Sequence, residues 1–143
     1  MMTDFPIADA HHHFWNPERN YHPWLRDEPM IPFRYGDYSG LRRPFMPTDY
    51  ARATAPYRVE KSVAVEGEWD PTDPVGETRW IHEAYREYGR PNAFVAQIWL
   101  DHDDVEEVMA QQASFPLVRS VRHKPRSAPS PDKVEPGAKS SMG

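Results

Sequence analysis

The chain contains no cysteine, so it has no disulfide, no thiolate metal ligand and no cysteine nucleophile. A basic excess is also missing. Seventeen Lys and Arg against 22 Asp and Glu leave a formal charge of −5, which gives no electrostatic footprint for nucleic acid or an anionic membrane. No apolar run approaches the roughly 18 residues that a membrane helix needs. The opening ten residues carry Asp4 and Asp9 with no basic stretch ahead of an apolar one, so no secretory leader is expected and a cytoplasmic setting is. Leucine is scarce: Leu25, Leu41, Leu100 and Leu117 are the four in 143 residues. This thin aliphatic content implies one domain that is short of part of its core. Five Trp, seven Tyr and six Phe supply bulky apolar surface instead.

Proline is abundant, at 16 residues, about twice the usual share of ~5%. Many fall in residues 14–58, a stretch without clear periodicity that also holds Phe14, Trp15, Tyr21, Trp24, Phe33, Tyr35, Tyr38, Phe45, Tyr50 and Tyr57. A loop this aromatic is expected to be a packed lid or pocket wall rather than a linker. Inside it, Thr48 is placed to cap a short helix that Pro56 stops. Beyond Tyr57 the rhythm changes. Apolar runs at 7–10, 62–66, 93–100 and 117–122 read as strands. Residues 77–88 read as a helix with Ile81, Ala84, Tyr85 and Tyr88 on its apolar face. A second helix, capped by Asp101 or Asp103, carries Val105, Val108 and Met109. Residues 124–143 read as an irregular tail. Strands alternating with helices imply an α/β fold with parallel strands.

The sharpest feature is Asp9-Ala10-His11-His12-His13-Phe14-Trp15. Side chains two apart on a strand point the same way. His11 and His13 can therefore offer two imidazoles to one divalent ion, while His12 points away. A solvated loop or packing at a strand end also fits such a run; its internal position and length of three argue against a purification tag.

With the following Asn-Pro-Glu-Arg-Asn-Tyr-His-Pro-Trp-Leu, this segment resembles the start of the amidohydrolase superfamily. It is most similar to the amidohydrolase-related branch that includes sugar-lactone and 2-pyrone-4,6-dicarboxylate lactonases. The run Val118-Arg-Ser-Val-Arg122-His123 resembles the arginine-bearing fourth strand of that family. The resemblance implies a TIM barrel, of which residues 1–143 would be the N-terminal part: four strands out of eight, since a complete barrel takes about 250 residues. It implies His11 and His13 as metal ligands. It implies a hydrolase acting on a lactone or other small carboxylated cyclic ester, with zinc foremost as cofactor and metal-free action also represented among relatives. A metal-dependent decarboxylase, or an inactive fragment acting only in binding, are the alternatives. No residue here matches the family's catalytic base.

Around this frame, Glu66 and Gln97 lie at or near strand ends at the expected barrel mouth, where Glu66 could bind substrate or ligand a metal, and Arg122 suits a bidentate grip on a substrate carboxylate or an ion pair with a surface acid. Val118, Ser120 and Arg122 are expected to share one face of their strand. Trp15 and Trp24 are candidate pocket walls, with His123 and Lys124 weaker ones. His22, His82 and His102 are expected at the surface. The expected partner is a small molecule, with self-association through unpaired strand edges as a further possibility.

Overall fold

The computed structural model describes residues 5–31, 36–125, 130–133 and 136–137. Four short runs rich in Val, Ala and Ile become strands: β1 (Ile7–His12), β2 (Val59–Val65), β3 (Ala93–Gln97) and β4 (Val118–Arg122). They form one sheet in the order β1-β2-β3-β4, and each neighbouring pair is parallel. Parallel strands in sequential order with helical crossovers are consecutive βα units of a TIM-barrel type sheet. Among the described residues, β1 and β4 have no strand on their outer edges. No helix among them is long and apolar enough to cross a membrane.

The strands are bounded differently from the apolar runs. Strand β1 continues two residues beyond Ala10, so His11 and His12 belong to it, and β3 stops at Gln97 rather than at residue 100. Glu66 lies just past the end of β2, which starts earlier, at Val59.

The helices are α1 (Pro23–Arg26), α2 (Pro47–Thr54), α3 (Gly76–Tyr88) and α4 (Val105–Ala113). In α2, Thr48 is not the cap. Pro47 fills the first turn, where its missing N–H costs nothing, and the Asp49 carboxylate accepts the Met46 N–H at 2.9 Å. The cap of α4 is Asp104, not Asp101 or Asp103, and Met109 is exposed. Helix α3 ends at Gly89, whose φ of +71° is the left-handed turn glycine makes without a Cβ penalty.

The helices cover one face of the sheet. Ala64 of β2 and Phe94 and Ala96 of β3 pack against Tyr50 of α2, Ile81 of α3, Phe14 and Leu117. Ile98, Val75 and Val108 of α4 form a second cluster. Fully burying a side chain such as Phe94 or Ile81 contributes about 1.5–3 kcal/mol. The buried stripe of α3 is Glu77, Thr78, Ile81, His82 and Ala84, while Tyr85 and Tyr88 are exposed. The stripe is rotated from the expected one because His82 turns inward. Its Nδ1 meets the Thr78 carbonyl at 2.7 Å, its Nε2 accepts the Leu117 N–H at 3.2 Å, and its ring contacts Phe115. A histidine expected at the surface thus ties α3 to the start of β4.

Three strands carry an extra residue. In β2 it lies between Val59 and Lys61, which pair with the adjacent Ile7 and Ala8. In β1, Asp9 pairs with Ser62 and His12 with Ala64, three positions against two. In β4, Val118 pairs with Phe94 and Ser120 with Val95. Bulges change which side chains share a face. Val118 and Val121 consequently both pack on the core, and Val118 does not share a face with Ser120 and Arg122.

Residues 14–58 hold more structure than their composition suggests. Besides α1 and α2 there is a 3-10 turn at Ser39–Leu41 and an antiparallel bridge between Trp15 and Phe45. Arg42 ties the stretch together, donating from Nε to the Leu25 carbonyl at 2.7 Å and from Nη2 to the Arg26 carbonyl at 2.9 Å. Phe33 and Tyr35 lie outside the described residues, as does most of the 124–143 tail.

Candidate functional site

The ends of β1, β2 and β4 meet around a cavity of about 240 Å³ lined by His13, Trp15, Trp24, Leu41, Glu66, Gly67, Glu68, Arg122 and Lys124. Trp15 and Trp24 stand edge to face, 5.7 Å apart. Each is fixed through its indole N–H, Trp15 on the Arg43 carbonyl and Trp24 on the Gly67 carbonyl, both at 2.8 Å. The aromatic stretch therefore supplies walls held at both ends. Gln97 is buried but does not line the cavity.

The structure brings His11 and His13 together, with Nε2 atoms 3.2 Å apart. Nδ1 of His13 lies 2.8 Å from the Val65 carbonyl, so that nitrogen carries the proton and Nε2 of His13 offers a lone pair. In the imidazole–imidazole contact, His11 is then the donor. Burial lowers the pKa of His13, and the guanidinium of Arg122 lowers it further, which keeps the ring neutral as a metal ligand requires. Two nitrogens at ~2.0–2.1 Å from a tetrahedral zinc ion lie about 3.3 Å apart. The observed spacing fits that bite, and the Val65 carbonyl is the kind of partner that fixes a ligating ring. The described residues include no group of three or more His, Asp or Glu placed to hold one ion. The pair can supply two ligands.

His12 faces the other way and packs on Phe14 and Tyr50. Burial lowers its pKa to about 4. The same side of β1 presents Asp9, which accepts the Tyr50 hydroxyl at 2.7 Å. The bulge makes this possible, since regular alternation would put Asp9 with His11.

Arg122 and Glu66 also meet, but in a different arrangement from an open anion clamp. The guanidinium donates from Nε to Oε1 of Glu66 at 2.5 Å and from Nη2 to the Glu66 carbonyl at 2.8 Å, and Nη2 also pairs with the same carboxylate. Glu66 is only 1% exposed. The arginine thus neutralises a buried carboxylate and joins the ends of β2 and β4 across β3. Two residues on, Glu68 and Lys124 form a second ion pair of the same sense. The floor is two acids matched by two cations. Glu68 was missed in the sequence; the alternation Glu66-Gly67-Glu68 against Arg122-His123-Lys124 is a signal that could have pointed to it. Glu68 sits at φ +60°, a conformation that costs a non-glycine residue on the order of 1 kcal/mol or more and collects at functional sites. Its N–H is held by Oε2 of Glu66 at 2.8 Å.

His22 is another departure from expectation. It is fully buried, with Nδ1 3.1 Å from the Gly67 carbonyl. His102 is half-buried and stacks on Trp99. His123 is half-buried outside the cavity, where its Nδ1 accepts the Leu100 N–H at 3.2 Å.

No family model matches the chain. Over 121 residues, 85% of its length, it is 30% identical to an uncharacterized protein (y4mH) of Sinorhizobium fredii. Those residues make up 40% of that relative. In three dimensions it is similar to the crystal structure of an amidohydrolase from Burkholderia multivorans with bound zinc. The TM-score is 0.52 and the identity 25%, over 81% of this chain and 36% of that one. The chain therefore spans well under half the length of each protein it matches. The likeness supports a relationship with the amidohydrolases, and the α/β sheet described above corresponds to part of such a TIM barrel. That the neighbour holds zinc points to metal use in that family.

Proposed function

We propose that residues 1–143 are the N-terminal part of an amidohydrolase-type barrel, and that the whole barrel hydrolyses a small cyclic ester, a lactone foremost. The observation that carries this reading is the His11–His13 pair, spaced for one divalent ion at the mouth of a cavity with tryptophan walls. Zinc, when bound, would polarise the ester carbonyl and lower the pKa of water. The chain's own contribution is to hold the two imidazoles, with His13 oriented by the Val65 carbonyl, and to seat a ring between Trp15, Trp24 and Leu41 while excluding water from it.

The floor bears on the substrate's charge. Both cations are already matched by Glu66 and Glu68, so a free carboxylate gains little unless it displaces a buried partner. Hydroxyls and the ester oxygen, by contrast, find both donors and acceptors there. We therefore place a neutral oxygenated ring ahead of a carboxylated one.

Zinc titration of the 143-residue chain, followed by calorimetry, tests the metal reading. One ion should bind, and His11→Ala or His13→Ala should weaken it by roughly tenfold or more, the scale on which ligand environments act. His12→Ala should leave zinc affinity unchanged. Equal losses from all three variants would sink the assignment. Turnover of neutral and carboxylated lactones by the full-length parent then tests the substrate.

A further inference from the structure

Beneath the cavity floor, three side chains from two elements hold a single residue. Oε1 of Glu77, from α3, accepts the Gly67 N–H at 2.8 Å. The Gly67 carbonyl accepts from the indole of Trp24 at 2.8 Å and from Nδ1 of His22 at 3.1 Å. Glycine leaves room for this approach: a Cβ there would press on Oε1 of Glu77 at 3.3 Å and sit in ordinary contact, at 3.7 Å, with Cε1 of His22 and with the Phe14 carbonyl oxygen. The carboxyl and the imidazole thus flank one residue, the first at its N–H and the second at its carbonyl.

Each of these buried side chains has one polar atom left over. Oε2 of Glu77 and Nε2 of His22 have no hydrogen-bond partner, although both residues are at least 98% buried. Leaving two such atoms bare is costly, and buried polar groups are seldom left so. Their chemistry is complementary. With its proton on Nδ1, His22 offers a lone pair at Nε2. A protonated Glu77 offers an O–H. A fully charged pair is disfavoured, because burial opposes each charge and the charge of Glu66 opposes a second carboxylate.

We propose that Glu77 is a neutral carboxylic acid that keeps its proton and donates a hydrogen bond to one buried water, which in turn donates to Nε2 of His22, so that the two side chains close a ring around Gly67 and lock the aromatic stretch 14–58 to the cavity floor. Such a water has the polar partners it needs. The charged groups facing Glu77 are Glu66 at the end of β2 and Arg122 from β4; Glu66 also faces His22. Burial, then the neighbouring Glu66, raises the pKa of Glu77 well above its ordinary value. Burial lowers that of His22 to about 4. Both directions favour the neutral pair. Because Glu66 and Glu68 flank Gly67, the lock also fixes the height of the two acids that face the cavity.

Nuclear magnetic resonance on the full 143-residue chain tests this. The Glu77 side-chain carbon should show no titration near the ordinary glutamate value of about 4.3. The His22 ring should stay neutral, with its proton on Nδ1, down to about pH 4. Glu77→Gln should keep the Gly67 amide shift and the His22 tautomer, because its amide N–H can donate to the same water. Glu77→Leu should speed exchange of the Gly67 N–H and the Trp24 indole N–H by roughly tenfold. A Glu77 titration near the ordinary value, a proton on Nε2 of His22, or unchanged exchange in Glu77→Leu would overturn the proposal. If Glu77→Leu does not fold, the wild-type titrations and Glu77→Gln decide. Lactone turnover is not read, so failure of the hydrolase reading leaves this result intact.

Discussion

The two faces of the sheet are built to different standards. On the helix side, Ala64, Phe94 and Ala96 are shielded completely, and α2, α3, Phe14 and Leu117 contribute to their cover. On the other side, Val63 and Val95 are half-buried and Ser120 is exposed. Only the end that carries His13, Glu66 and Arg122 is enclosed, by the aromatic stretch. Stability therefore resides on one face and candidate chemistry at the rim of the other. The open face also fits a chain that covers 36% of its barrel neighbour. In a closed barrel, side chains from all the strands fill that interior.

The comparison is sharpened most by Phe94→Ala. This residue is fully buried between β3 and the helices, and its truncation should cost about 3–5 kcal/mol in urea unfolding. A loss under ~1 kcal/mol would mean that the helix side is not the core. Next in size is Arg122→Ala, which strands the Glu66 carboxylate in a buried place. It should cost about 2–4 kcal/mol, with much of the loss recovered in Arg122→Ala/Glu66→Gln, because the penalty is an unmatched buried charge.

Acid should separate the faces by chemistry. His12 on the helix side and His22 beneath the cavity both have pKa values pushed to about 4, by burial first. The folded state binds their protons less readily than the unfolded chain, whose histidines titrate near 6.5. Their contribution to stability is thus intact above about pH 6.5 and lost as the pH falls towards 4, on the order of 2–3 kcal/mol for each. His12→Phe should flatten part of that slope in chemical unfolding measured from pH 7 to 4. Glu77 acts in the opposite sense, with its raised pKa favouring the folded state on the acid side. The smallest effect belongs to the open face. Val95→Ala should cost under about 1 kcal/mol in the 143-residue chain, since a half-exposed methyl pair has little burial to lose. A cost like that of Phe94→Ala would show that a second copy covers this face in solution.

The sequence disclosed what is local. Side-chain parity placed His11 and His13 together and His12 apart, and helix–strand alternation gave the sheet order. Strand ends were read to within a few residues. Burial of His22 and His82 was not legible, because each is drawn in by a backbone group distant in sequence, Gly67 for one and Leu117 for the other. The occupied state of Arg122 was equally hidden. An arginine at a strand end reads as an anion site until the acid opposite it, 56 residues away, is placed. The bulges were missed because an extra residue leaves no compositional mark in Asp9-Ala10-His11-His12 or Val118-Arg119-Ser120.

The β1 bulge has a consequence for length variation. Three positions of β1 answer two of β2 between Asp9 and His12, so this stretch contains a spare residue, offset earlier in the pair by the extra residue of β2 between Val59 and Lys61. Removing Ala10 would let ordinary alternation reproduce the present arrangement, with Asp9 and His12 towards Tyr50 and the outer histidines towards the cavity. Removing Ala8 would leave that spacing unrepaired. A deletion scan should therefore find tolerance at Ala10, read as soluble chain with unchanged zinc affinity, beside intolerance two residues earlier. In that sense the strand carries its own margin for error, placed one residue ahead of the imidazoles that depend on it.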